Sequence, residues 1–140
     1  VDDDPDAREV VRQMLEPLGA RVLTAASGPE ALALWGRAAV HLVLLDLLMP
    51  EMDGFRVIRA LRRHPRAARV PIVAMTALGS ETDYYRTWEA GFDGHLTKPV
   101  EHGDLASVVH VLTRRRGRGA GAWLGAGSAA GPRRPPRPRR

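Results

Sequence analysis

The sequence contains no cysteine, which excludes disulfides and thiol chemistry and fits a reducing compartment. It has no apolar run approaching the length of a membrane span and no visible signal-peptide pattern, so no membrane role is expected and the protein is expected to be cytoplasmic. Aromatic residues are few: three Trp, two Tyr and two Phe. Acidic residues are missing altogether from Arg114 onward, where nine arginines stand among Gly, Ala and Pro. The net charge of +5 therefore hides two parts. Residues 1–113 hold twelve basic and all sixteen acidic side chains, a net of −4, so the basicity of the whole chain says nothing about the folded part. That part is one domain's worth, long enough to bury a core. The tail, 114–140, lacks an apolar period and is expected to be disordered. It could hold nucleic acid by charge alone; a linker to a further domain, or a cloning or reading-frame artefact, are plainer readings.

What is present is organised around His41–Gly54, HLVLLDLLMPEMDG. An uninterrupted Leu/Val run that stops at Asp46 and breaks at Met49-Pro50 reads as a strand buried on both faces, as in a parallel sheet covered by helices. Asp46 then stands at the carboxyl end of that strand, the edge where ligands bind in open parallel sheets. The competing reading is a turn residue that ends the strand.

In chain order, Asp2, Asp3 and Asp4 precede Pro5 and Asp6. Adjacent carboxylates repel, so gathering them calls for a compensating cation, or for use as helix caps, with Asp4 the cap and Asp2 and Asp3 facing a metal. Val10, Val11, Met14, Leu15 and Leu18 recur at helical spacing up to Gly19. Arg21–Ala26 reads as a second strand. Ser27 and Glu30 have capping-box spacing and open a second helix through Trp35. After the Asp46 strand, residues 54–63 form a third helix whose arginines read as a solvated face. Ile72–Thr76 is a fourth strand, Thr82–Ala90 a fourth helix, Gly94–Thr97 a fifth strand and Asp104–Leu112 a fifth helix. Right-handed crossovers turn this alternation into a parallel sheet with helices on both faces. The carboxyl ends of its strands then gather Asp2, Asp3, Asp46, Thr76 and Lys98. Hard oxygens of this kind suit Mg²⁺, and a carboxylate held ionised can attack phosphorus.

These residues also match a family. VDDDPD, LLDLLMPEMDG, MTA and the Lys98-Pro99 step, in that order, resemble the receiver domain of two-component response regulators over residues 1–113. The resemblance implies a flavodoxin-like, doubly wound five-stranded sheet of order 2-1-3-4-5. It makes Asp46 the acceptor of a phosphoryl group from a sensor histidine kinase or phosphotransfer protein, or from a small phosphodonor. Asp3 would ligate Mg²⁺ directly, Asp2 through water, and Leu48 by its backbone carbonyl. Lys98 would pair with Asp46 and then with a phosphoryl oxygen, and Thr76 would hydrogen-bond another. Phosphorylation would switch the face made by the fourth helix, fifth strand and fifth helix, where a homodimer could form. The Lys98-Pro99 bond is expected to be cis. Such a protein is not a turnover enzyme; it catalyses only its own phosphorylation and dephosphorylation.

Some positions depart from the family. His95 stands where similar proteins carry Tyr or Phe, which suggests a pH-sensitive or weakened switch. Leu48 and Leu78 occupy rim positions and cannot orient an attacking water, which suggests slow hydrolysis of the phosphorylated form. Only Val1 precedes the acidic pair, so the first strand is expected to be largely truncated and the chain to be a fragment. Two alternatives remain: a pseudo-receiver that docks proteins without phosphorylation, and a phosphatase of the haloacid dehalogenase kind using Asp2 and Asp4.

Overall fold

The computed structural model describes residues 1–114 and the backbone of residues 124–125. Three strands, β1 (Val43–Asp46), β2 (Ile72–Thr76) and β3 (Gly94–Thr97), lie side by side and parallel, in that order. Apart from Thr97 every residue in them is buried, the expected consequence of covering both faces of a parallel sheet. Successive side chains point to opposite faces. Leu45, Ile72 and Ala74 accordingly join a core with Trp35, Val57, Ile58, Leu61 and Phe92, while Leu44, Val73, Met75 and Leu96 pack with Leu15, Leu105, Val108 and Leu112. A two-residue strand, β4 (Leu124–Gly125), runs parallel beside β3; the rest of the tail expected to be disordered lies outside the described residues.

The helices begin where side-chain oxygens can cap them. Asp4 accepts the Asp6 amide at 2.9 Å and Pro5 opens α1 (Pro5–Leu15). Pro17 cannot donate within a helix, so the turn after Leu15 tightens into the 3₁₀ segment Glu16–Leu18, closed by Gly19 at φ 87°. Ser27 caps α2 (Gly28–Trp35) and Asp53 caps α3 (Gly54–Arg62). A reciprocal Ser80–Asp83 capping box starts α4 (Glu81–Glu89) one residue earlier than the sequence spacing suggests. α5 (His102–Arg114) is longer at both ends than the apolar period indicates.

One expectation is corrected. Arg21–Ala26 is irregular backbone rather than a second strand, so five strands in the order 2-1-3-4-5 are not displayed; β1, β2 and β3 occupy the places expected of the third, fourth and fifth. A strand is a property of a pair. Among the described residues Arg21–Ala26 is bonded to the short stretch at Val1, which bonds on both sides: Val1 nitrogen to the Leu44 carbonyl at 2.7 Å, the Asp46 amide to the Val1 carbonyl at 2.9 Å, and the Asp2 amide to the Ala25 carbonyl at 3.1 Å. One cross-strand bond does not make a ladder.

Candidate functional site

β1 delivers Asp46 to the carboxyl edge of the sheet, and the Val1 bonds deliver Asp2 beside it. Asp2 and Asp46 are 2% and 4% exposed, whereas Asp3 is open to solvent, and oxygens of the three carboxylates lie within 4.8 Å of one another. Each buried carboxylate is oriented by the backbone. Asp46 Oδ1 accepts the Leu48 amide at 3.1 Å, and Asp2 Oδ1 accepts the Asp4 amide at 3.0 Å. Their other oxygens face Lys98, the sequence's single lysine beside twenty arginines. Its Nζ donates to Asp2 Oδ2 at 2.7 Å and to Asp46 Oδ2 at 3.2 Å. The lysine expected to pair with Asp46 thus bonds Asp2 at the shorter distance.

One ammonium between three carboxylates leaves the cluster net negative. Burial pushes the Asp46 carboxyl above its ordinary value, against the Leu48 amide and Lys98, which hold it down. Burial works against charge on Lys98 too, but the Asp2 hydrogen bond and the Asp46 charge outweigh it and raise its pKa. A donor set of hard oxygens with surplus negative charge, partly open through Asp3, fits a divalent cation of the Mg²⁺ kind.

β2 ends on Thr76, fully buried, one register step beyond Met75, the partner of Asp46. Its hydroxyl oxygen accepts the Leu78 amide at 3.1 Å, and its carbonyl accepts the Lys98 amide at 2.8 Å, tying the ends of β2 and β3 together. The Lys98-Pro99 bond is cis. Leu48 sits on the rim with 54% of its surface exposed. Asp4, by contrast, is exposed and spent on the α1 cap.

His95, on β3, is fully buried, and its ring already points into the domain. Nε2 bonds the Leu78 carbonyl at 2.8 Å, Nδ1 meets Thr87 Oγ1 at 3.0 Å, and the ring stacks on Tyr84 with centroids 4.1 Å apart. A carbonyl can only accept, so Nε2 carries a proton. Thr87 also donates to the Tyr84 carbonyl at 2.8 Å, so with a neutral ring its one hydroxyl hydrogen is shared between that carbonyl and Nδ1. Burial holds the imidazole pKa below its usual value, opposed by the Leu78 carbonyl and Asp83. Tyr84 completes the cluster through its hydroxyl, 3.0 Å from Thr97 Oγ1. The roles of Thr87 and Tyr84 carry no signal in the sequence, because helical spacing marks both simply as α4 residues.

Gly54 is a further position whose importance is geometric. A Cβ there would meet the Leu47 Cα at 2.9 Å and press harder still on the Asp46 carbonyl oxygen. Only glycine lets α3 begin this close to the strand end that carries Asp46.

Among the described residues no helix is long and apolar enough to cross a membrane. A family model for the response regulator receiver domain matches residues 1–110. An uncharacterised 14.6 kDa protein of Leptolyngbya boryana is 43% identical over 109 residues, covering 78% of this chain and 83% of that protein. The DNA-binding dual master transcriptional regulator RpaA of Synechocystis sp. is 37% identical over 84% of this chain, but this chain spans only 49% of its length; it likewise spans about half of the probable transcriptional regulators ycf27, 47% in Cyanophora paradoxa. Among solved structures, the receiver domain of a signal transduction histidine kinase from Syntrophus aciditrophicus superposes with a TM-score of 0.76 at 32% identity, covering 86% of this chain and 91% of that one. The receiver domain of a sensor histidine kinase from Pseudomonas aeruginosa, solved with magnesium in its active-site cleft, gives 0.75 at 31% identity, covering 81% and 93%. With the family match extending over most of the chain and the acidic cluster, threonine and lysine gathered at one sheet edge, this protein belongs to the response regulator receiver domains of two-component signalling.

Proposed function

We propose that Asp46 accepts a phosphoryl group from a phosphohistidine on a sensor histidine kinase or phosphotransfer protein. The observation that carries this is the bracketing of Lys98 by two buried, backbone-oriented carboxylates, one at the end of β1. Asp46 Oδ2, once Lys98 lets it go, attacks phosphorus, the P–N bond to the donor imidazole breaks, and an aspartyl phosphate forms. Lys98 then exchanges Asp46 for a phosphoryl oxygen. Thr76, whose oxygen accepts from Leu78, has its own hydrogen left for another phosphoryl oxygen. Asp3 directly, Asp2 through water and the Leu48 carbonyl would hold Mg²⁺, which when bound neutralises charge on the transferring group. Asp2 fits an indirect role because Lys98 already occupies one of its oxygens. The protein is consumed and regenerated rather than turning over a substrate. Leu48 and Leu78 at the rim offer no side-chain hydrogen bond to water, which supports a long-lived aspartyl phosphate.

Movement of Thr76 toward the phosphoryl group would draw on Leu78, and through its carbonyl on His95, carrying the signal to the α4–β3–α5 face. That face would meet a second copy or a downstream target, and a DNA-binding output would belong to a separate domain. The haloacid-dehalogenase alternative is disfavoured, since Asp4 points away into a helix cap. Intact mass after incubation with acetyl phosphate tests the proposal: one phosphoryl adduct that requires Mg²⁺ and is absent from Asp46→Asn. No adduct on folded wild-type protein would favour a docking module that works without phosphorylation.

A further inference from the structure

The net charge of −4 over residues 1–113 is itself unevenly placed. Residues 31–45 and 54–80 contain seven arginines and no acid. The structure brings the middle parts of both stretches together at the amino-terminal edge of the sheet, opposite Asp46. Arg66 donates to the Trp35 carbonyl at 2.6 Å and lies over the Trp35 ring, and the Val43 amide bonds the Pro71 carbonyl at 3.0 Å. The loops 36–42 and 63–71 therefore adjoin, and they expose Arg37, Arg63, Arg66 and Arg69 with His41 and His64. Arg37, Arg63 and Arg69 have no ion-pair partner among the described residues. The carboxylate on the neighbouring loop, Asp93, is already committed to Arg62 and the Ile72 amide. The concavity between α3 and α4 is different, since it sets Arg59 and Arg86 against Asp53 and Glu89.

We propose that this arginine pole is a docking surface for the phosphodiester backbone of duplex nucleic acid. Arginine forks match phosphate oxygens two at a time, and a polyanion is the partner whose charge complements two adjoining loops that contain no acid of their own. α5 returns from the carboxyl end of β3 and so ends, at Arg114, on this same edge; the residues beyond it add eight arginines and again no acid. A polyanion would gain from that further positive charge, whereas a second copy of the chain would carry the same charge itself. The contact is sequence-independent and leaves the phosphoacceptor edge free.

The competing account is that Arg37 and Arg63 merely complement the carboxyl ends of α2 and α3. Fluorescence anisotropy of a labelled duplex of about 20 base pairs separates the two, using the full-length chain in about 50 mM salt, with circular dichroism to verify folding. The Arg37→Ser/Arg63→Ser/Arg69→Ser variant is expected to bind at least about tenfold more weakly and to lose about 2.7 units of salt slope, at roughly 0.9 per phosphate contact. A variant with the eight tail arginines replaced by serine is expected to retain measurable, salt-sensitive binding. The proposal is overturned if the triple variant binds like wild type, if the tail variant loses all binding, or if no form binds. It is equally overturned if the triple substitution abolishes self-association in sedimentation while leaving duplex binding intact, because the pole would then serve a second copy.

Discussion

At the scale of single residues, the environment of His95 fixes how it responds to acid. Enclosure holds its pKa below the ordinary histidine value, so in acid the unfolded chain takes up the proton before the folded one does. Stability then rises with pH wherever the unfolded state binds more protons, and is lost as pH falls from the unfolded histidine value toward the lower folded one. Chemical denaturation between roughly pH 7.5 and 5.5 should show the midpoint falling with acid in wild type and much less in His95→Phe. Equal slopes in both would remove His95 as the titrating group. Among the groups facing the ring, Asp83 opposes the shift and Tyr84 contributes its ring face.

At the scale of elements, the junction between β1 and α3 decides whether Asp46 is presented correctly. Gly54→Ala would drive a methyl into the backbone of Asp46 and Leu47. Overpacking against backbone costs about 1–3 kcal/mol, so thermal unfolding should drop by roughly 5–20 °C, and phosphorylation should fall with it even at temperatures where the variant is folded. An unchanged melting point would mean that α3 can retreat freely. The same junction shows what could be read from the sequence. Asp53-Gly54 is visible as turn chemistry, but the need for glycine at that spot is a distance between segments. The helix starts at Asp4, Ser27 and Asp53 were readable because a cap is local. Asp46 and Thr76 are readable because each ends an apolar run, and Lys98 because it stands before Pro99 at the end of the short stretch Gly94–Thr97. Arg21–Ala26 misled because its alternation is local while the pairing that makes a strand is not. Asp2 as the nearer partner of Lys98 was unreadable for the same reason.

At the scale of the molecule, the two ends of the sheet carry opposite charge, and the acidic end is the one that gains from a cation. With three carboxylates around one ammonium, Mg²⁺ at about ten times its dissociation constant adds about 1.4 kcal/mol to the folded state, a rise in melting temperature of roughly 5–10 °C. Sodium at matched ionic strength should give little, and Asp3→Asn should cancel most of the rise at little structural cost, since Asp3 is exposed. A rise that survives Asp3→Asn would place the cation elsewhere. The bond from Lys98 to Asp2 also spans 96 positions and that to Asp46 spans 52. Bringing the three groups together takes the whole stretch 2–98, and the loop between the first and last of them closes only when nearly the whole sheet has assembled. A chain in which that loop is still open lacks the gathered carboxylates and ammonium, so the proposed phosphoryl transfer would be confined to chains whose β1, β2 and β3 have come together.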